Sequence, residues 1–124
     1  MLRPVHFGAW HPISEASAAA PDVCGVLQTR AEGAMDYHAG RSAMVMYACA
    51  APDETLRRFV AGRGARDLQR AIAAGARWIR FAEVPDAPAE LERLLRTFTE
   101  RFGSLPIANA GAARRIAGDR EPGE

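Results

Sequence analysis

The stretch Ala43-Met-Val-Met-Tyr-Ala-Cys-Ala-Ala51 is followed directly by Pro52-Asp-Glu-Thr-Leu-Arg-Arg-Phe59, and together they form the centre of the predicted fold. The first is an unbroken apolar run with one tyrosine, which is typical of a central strand buried on both faces. The second has Asp53 as N-cap, which predicts a helix carrying Arg57 and Arg58. A tyrosine and arginines brought to one spot can form a phosphate site, although a strand followed by a helix is more often purely structural.

Size and composition indicate a single globular domain. The chain has 124 residues, of which 48% are hydrophobic and 25% charged, as in folded rather than disordered proteins. The net charge of +1 gives no argument for nucleic acid or a membrane as partner. All 16 basic residues are arginine, so every cationic contact would use a planar fork that suits phosphate or carboxylate.

The flanking segments predict two more strands. Residues 24–29 form a short strand, residues 30–42 form a connecting loop, and residues 77–84 form a third strand with Ile79 and Phe81 on one face.

Apolar spacing predicts three helices. The helix after Asp53 has a core face, and Gly62 and Gly64 end it; a second helix over 66–74 buries Leu68 and Ile72. The core face of the first consists of Leu56, Phe59 and Val60. The longest helix has Asp86 as N-cap, Gly103 as its stop, and a stripe of Leu91, Leu94, Leu95, Phe98 and Phe102.

The predicted fold class is α/β in the α+β sense: a small, mainly antiparallel three-stranded central sheet flanked by helices, in the order β-β-α-α-β-α. We divide the chain into an N-terminal arm (1–22), a domain (23–110) and a C-terminal tail (111–124). The first residues lack the apolar core of a signal peptide, and no apolar run approaches about 20 residues. We therefore expect a cytoplasmic location and no membrane partner.

Five stretches follow one another along the chain: Cys24-Gly-Val-Leu27, Val45-Met-Tyr-Ala-Cys49, Thr55-Leu-Arg-Arg-Phe59, Ala89-Glu-Leu-Glu-Arg-Leu-Leu95 and Leu105-Pro-Ile-Ala-Asn109. In this order they resemble the GIY-YIG nuclease superfamily over residues 23–110. They resemble, in turn, its two tyrosine motifs, its arginine helix, the helix of its catalytic glutamate and its closing Pro-x-x-Asn turn. The resemblance implies a GIY-YIG-like fold and contact with nucleic acid, DNA in preference to RNA.

The same resemblance implies a metal-dependent cut in a phosphodiester bond. A Mg²⁺ or Mn²⁺ ion would sit on Glu92, with phosphate charge neutralised by metal and arginine. The implied catalytic residues are Tyr47, Arg57, Arg58 and Glu92. Leu27 stands where the family has its first tyrosine and Cys49 where it has a glycine, so the implied cleavage is compromised.

A local excess of arginine predicts a basic surface despite the near-neutral total. From Thr55 to Phe81 there are seven arginines and one acid, Asp67. Such a surface binds phosphate backbone, unless it is a solvated face balanced by the acids of the last helix. The candidate nucleic-acid-binding residues are Arg58, Arg63, Arg66, Arg70 and Asn109.

Each remaining candidate also has a structural interpretation. Tyr47 can be a core tyrosine whose hydroxyl finds a partner at the sheet edge. Glu92 can pair with Arg96 one turn away. Asn109, which follows Pro106, can bond to backbone and close a turn.

The two cysteines form no disulfide framework. If Leu27 lies opposite Tyr47 in an antiparallel pair, Cys24 and Cys49 become near neighbours. They are then either two small buried hydrophobic residues or a redox-sensitive pair beside the site.

The sequence leaves two principal functions open. The first is a GIY-YIG-like domain that binds nucleic-acid phosphate backbone, with compromised cleavage. The second is a non-catalytic protein-interaction or regulatory module on the same fold, in which Phe7, Trp10 and Pro12 of the arm belong to a partner surface. Burial of Trp10 within its own domain would count against the second.

Overall fold

The computed structural model describes residues 5–110, an α+β arrangement of one antiparallel sheet and helices. The predicted tail (111–124) lies outside the described residues. The strands are β1 (His11–Pro12), β2 (Gly25–Tyr37), β3 (Gly40–Cys49) and β4 (Ala76–Glu83). The helices are α1 (Ala16–Ala19), preceded by a 3-10 turn (Ile13–Glu15), α2 (Leu56–Ala61), α3 (Ala65–Ala73) and α4 (Ala87–Phe102).

The sheet has four strands in the order β1-β4-β2-β3, so the predicted three-stranded sheet is wrong by one strand. The extra strand comes from the N-terminal arm, where His11 pairs with Ile79 of β4. The amide of Gly8 extends this contact by donating to the carbonyl oxygen of Phe81 at 2.9 Å. A two-residue strand has no apolar alternation, and therefore nothing in the sequence pattern marks it.

The predicted loop over 30–42 is also wrong, because β2 runs on to Tyr37 and β3 begins at Gly40. Residues 32–34 and 38–41 of this hairpin are exposed, and its small and polar residues are typical of a loop. The pairing is broken by register shifts on either side of Arg30. Leu27 lies opposite Ala48, and Gln28 opposite Tyr47, one residue from the predicted register.

The start of α2 differs from the prediction. Thr55, not Asp53, is the N-cap, and its side-chain oxygen accepts from the amide of Arg58 at 3.3 Å. Glu54 instead closes the preceding turn by accepting from the amide of Ala51 at 2.9 Å. The first two amides of α2 donate to the carbonyl oxygens of residues 23 and 21, and these tertiary hydrogen bonds favour the later start.

The helices α3 and α4 follow the sequence pattern more closely. Asp86 caps α4 by accepting from the amide of Ala89, and Gly103 ends it in a left-handed conformation (φ 83°), both as predicted. On α3, Leu68 is buried as expected, whereas Ile72 is 43% exposed. Ala71 is buried in place of Ile72, so the inward face of α3 is rotated relative to the predicted one.

The two faces of the sheet carry cores of different size. The larger core joins α1, α2 and α3 to one face through Leu27, Val45, Phe59 and Ile79. The smaller lies on the other face and contains Val26, Ala82 and Ala87. Gly25 is obligatory in this frame, since a Cβ there would lie 1.9 Å from the carbonyl oxygen of Ala82. Within residues 5–110, no helix is long and apolar enough to cross a membrane.

Candidate functional site on the sheet

The α2 and α3 arginines do not form a common unpaired basic surface. Arg58 and Arg66 are exposed, and Arg57 donates from its Nε to the carbonyl oxygen of Ala20. Arg63 is paired with Glu54 at 2.7 Å, and Arg70 with Asp67 at 3.0 Å. Local acids therefore neutralise two of the five candidate binding residues.

Glu92 is exposed to solvent on α4, and it is not among the residues that line a cleft of about 420 Å³ at the β3 edge. The neighbouring Glu90 is bound to Arg93, whose Nε donates to its carboxylate at 2.7 Å. Among the described residues, no three histidine, cysteine, aspartate or glutamate side chains lie together as a possible metal site. The donor set therefore does not fit a divalent ion held by the protein alone.

Asn109 closes the free edge of the sheet, which is its structural interpretation. Its Oδ1 accepts from the amide of Tyr47 at 3.0 Å, and its Nδ2 donates to the carbonyl oxygen of the same residue at 2.9 Å. The side-chain amide thus copies the pairing that a further strand would give to β3. Nearby, the Tyr37 hydroxyl donates to the carbonyl oxygen of Met44 at 2.5 Å. Satisfied edges of this kind resist pairing with other chains.

Tyr47 lies in a layer of polar residues that crosses three strands. Gln28 pairs with Tyr47 on β3 and with Arg80 on β4. Since side chains alternate along a strand, these three share the face of the smaller core, to which Val26 and Ala82 belong. Burial raises the pKa of the Tyr47 hydroxyl, and Arg80 and Arg93 partly oppose that shift. At neutral pH Tyr47 is therefore a neutral phenol that can donate a hydrogen bond.

Arg80 is the centre of this layer. Its Nε donates to the Oε1 of Gln28 at 2.7 Å, and its guanidinium carbon lies 4.6 Å from the ring centre of Phe7 and 4.4 Å from that of Trp10. Arg30 lies over the same Trp10 ring at 4.7 Å. Burial lowers the pKa of the Arg80 guanidinium, which Tyr47 partly offsets and Arg30 reinforces.

We call this surface the arginine–aromatic face and define it by Phe7, Trp10, Gln28, Arg30, Tyr47 and Arg80. Of these six, Tyr47 was a candidate catalytic residue from the sequence, and Phe7 and Trp10 were candidates only for a protein-partner surface. One signal was available: Arg80 stands between Ile79 and Phe81 in an alternating strand, which places it on the opposite face from them. No sequence pattern indicated where the arm packs, because its position depends on the pairing of the short strand β1 with β4.

The cleft of about 420 Å³ lies at the β3 edge, and Tyr47 of the arginine–aromatic face and Asn109 are among the residues that line it. It brings Cys49 of β3 together with Arg63 and Asp67 near α3, and with Pro88 and Leu91 of α4. Burial raises the pKa of the Cys49 thiol, and Arg63 partly opposes this shift. Both described cysteines are free, and the Cys24 sulfur lies 3.7 Å from the carbonyl oxygen of Ala51.

Comparison with known proteins adds no relative. No family model matches the chain, and neither a curated protein nor a solved structure matches it.

Proposed function

We propose that this domain binds the phosphate backbone of nucleic acid on the arginine–aromatic face. The observation that carries the proposal is the pair Arg30 and Arg80, both held against Trp10. Neither forms an ion pair with any acid within residues 5–110, in contrast to Arg41, Arg63, Arg70 and Arg93.

Charge complementarity supports this assignment. Two guanidinium groups on one ring repel each other, and Arg30 accordingly lowers the pKa of Arg80. A phosphate between them would relieve this repulsion and accept planar, charge-assisted hydrogen bonds from both forks. The neutral hydroxyl of Tyr47, in the next strand but one from Arg80, adds a donor to the same surface.

The order of elements is a second support. From Gly25 to Phe102 it runs β-β-α-α-β-α, the order on which the GIY-YIG resemblance was based. The binding surface, however, lies on strand residues and on the arm instead of on the arginines of α2 and α3. Because residues 5–110 contain no group of three carboxylate, histidine or cysteine side chains that could hold a metal, our proposal is a GIY-YIG-like binding domain with compromised cleavage.

Fluorescence anisotropy with labelled oligonucleotides at low salt tests the binding. Arg80→Gln and Arg30→Gln should each weaken binding and lower the slope of log affinity against log salt by about 0.7 for each lost phosphate contact on a single strand. Arg66→Gln is the matched control, since Arg66 is an exposed arginine on α3. Equal losses in all three variants, or no binding by the parent chain, would contradict the proposal.

A plasmid assay tests cleavage separately. Supercoiled plasmid is incubated with Mg²⁺ or Mn²⁺ and with EDTA, beside a Glu92→Ala variant. We expect no metal-dependent nicking. Nicking that disappears in Glu92→Ala would instead show that Glu92 holds a metal together with substrate oxygens.

The alternative of a protein-interaction module is less well supported. It uses the aromatic residues of the arm as an apolar partner surface, yet the rings of Phe7 and Trp10 both lie against the charged guanidinium group of Arg80, which favours an anionic ligand.

A further inference from the structure

We infer that the ligand of the arginine–aromatic face is single-stranded nucleic acid, whose unpaired bases stack against Trp10 and the guanidinium planes beside it. This inference rests on the proposed function and narrows its substrate class. Single-stranded DNA and single-stranded RNA both offer a phosphate chain with exposed base faces. The experiment below distinguishes between them.

Planar groups follow one another along this face. Phe7 contacts Arg80 at 4.6 Å, Arg80 contacts Trp10 at 4.4 Å, and Trp10 contacts Arg30 at 4.7 Å. Aromatic rings and guanidinium planes are the groups on which unstacked bases lie in proteins that bind single strands. Trp10 is half-buried, so part of its surface is open to a ligand.

The array is held in place before any ligand arrives. Gln28 fixes the Arg80 fork through a 2.7 Å hydrogen bond. The arm is held by the bond from the Gly8 amide to Phe81 and by the pairing of His11 with Ile79. Because less side-chain freedom is lost on binding, such preorganisation favours affinity.

The shape of this face favours a single strand over a duplex. Its residues lie on strands and on an arm packed beside them, so the aromatic rings are presented on a sheet surface, an arrangement on which single-stranded bases stack in other proteins. In a duplex the base faces are stacked inside and only their edges are accessible. A duplex would therefore meet the arginines but not use the ring of Trp10.

Four probes of equal length and equal label separate these contributions: oligo-dT, oligo-U, the corresponding duplex, and an abasic strand that keeps the phosphates without the bases. We expect oligo-dT and oligo-U to bind at least about tenfold more tightly than the abasic strand, since stacking accounts for a large part of single-strand affinity. The difference between oligo-dT and oligo-U reports the preference for DNA or RNA.

The variant pair Trp10→Ala and Trp10→Phe tests the stacking ring. Trp10→Ala should weaken oligo-dT binding by roughly 5- to 100-fold and weaken abasic-strand binding by a clearly smaller factor, because both arginines rest on the ring, whereas Trp10→Phe should restore most of the affinity. The chain has two tryptophans, so Trp10 is the only one left in a Trp78→Phe background. Its fluorescence should be quenched by oligo-dT but not by the abasic strand.

The outcomes distinguish this inference from the function on which it rests. Equal binding of oligo-dT and the abasic strand, or tighter binding of the duplex, overturns single-strand stacking and leaves phosphate binding intact. An unchanged oligo-dT affinity in Trp10→Ala overturns it as well. If no probe binds, both proposals fail. Far-ultraviolet circular dichroism of each variant establishes that it is folded.

Discussion

The two faces of this sheet carry different kinds of side chain, although both are formed by the same strands. The face under α2 and α3 carries the large apolar core, with Leu27 and Ile79 fully buried. The opposite face carries a smaller core together with Gln28, Tyr47 and Arg80. The number of arginines along a stretch of chain therefore does not locate a basic surface. On the opposite face, Arg30 and Arg80 form no ion pair within residues 5–110, and both lie on strands next to an aromatic ring.

The first test of this comparison is an alanine at the centre of the larger core. Phe59 is 2% exposed, so Phe59→Ala should lower the free energy of unfolding by about 3–5 kcal/mol through lost burial and a cavity. Urea denaturation measures this change in the free energy of unfolding. Ile72→Ala is the control, because Ile72 is 43% exposed and its loss should change stability by less than about 0.5 kcal/mol.

If Phe59→Ala remains folded at low temperature, its affinity for oligonucleotides should match that of the parent chain. A clear loss of affinity in a folded Phe59→Ala protein would mean that the binding surface lies on the α2–α3 side after all.

The second test concerns Asn109. Asn109→Ala should lower the free energy of unfolding by about 1–3 kcal/mol, since it leaves the backbone amide and carbonyl of Tyr47 without their partner. Asn109→Asp keeps the acceptor but not the donor, so its free energy of unfolding should lie between those of the parent chain and Asn109→Ala. If Asn109→Ala keeps full stability and loses nucleic-acid affinity, Asn109 contacts ligand, as the sequence predicted.

Much of the fold was predictable from the sequence, and the reasons are physical. The strand predicted over 43–51 is present as β3, and the Asp86 cap and the Gly103 stop also follow from local patterns of apolar runs or backbone preference. The predicted central position of that strand is wrong, because β3 lies at the edge of the sheet and its second face is covered by other elements. The outer hairpin was missed because its small and polar residues are typical of a loop, and β1 because two residues carry no hydrophobic alternation. Their pairing depends on contacts distant in sequence, as between His11 and Ile79.

The candidate site was predictable only in part. Tyr47 was found, because a lone tyrosine in an apolar strand is conspicuous. Arg63 and Arg70 were assigned to a basic surface, and their pairing with Glu54 and Asp67 could not be read without the geometry of the α2–α3 turn. A one-residue register difference also decided which residue faces Tyr47: it is Gln28 and not Leu27.

The third test compares a free arginine with a paired one. Arg30→Gln should lower the salt slope of single-strand binding by about 0.7, whereas Arg63→Gln should leave it unchanged, because Arg63 is engaged by Glu54 at 2.7 Å. The measurement is anisotropy with oligo-dT over a range of salt concentrations. Equal slopes for the two variants would remove the distinction between the two sets of arginines.

The smallest expected effect concerns the thiols. Burial raises the pKa of Cys49 from its ordinary 9.0, so its thiolate fraction at pH 7 falls below that of a free cysteine. In a Cys24→Ser protein, alkylation by iodoacetamide should be slow at pH 7, and its rate should increase with pH and still be increasing at pH 9. Arg63 opposes the shift, so adding Arg63→Gln should slow the reaction further at pH 8.

The same thiols decide the redox hypothesis. A protonated, half-buried thiol is a poor nucleophile, so we expect thiol titration to find two free thiols with and without reductant. The two cysteines are near neighbours: Cys24 lies two residues before Val26, the partner of Cys49, on the same face of the sheet, and it contributes to the raised pKa of the Cys49 thiol. Loss of both thiols in oxidising buffer, reversed by reductant, would instead establish a redox-sensitive pair. That pair would lie on the same side of the sheet as the arginine–aromatic face, since both cysteines pack against the smaller core.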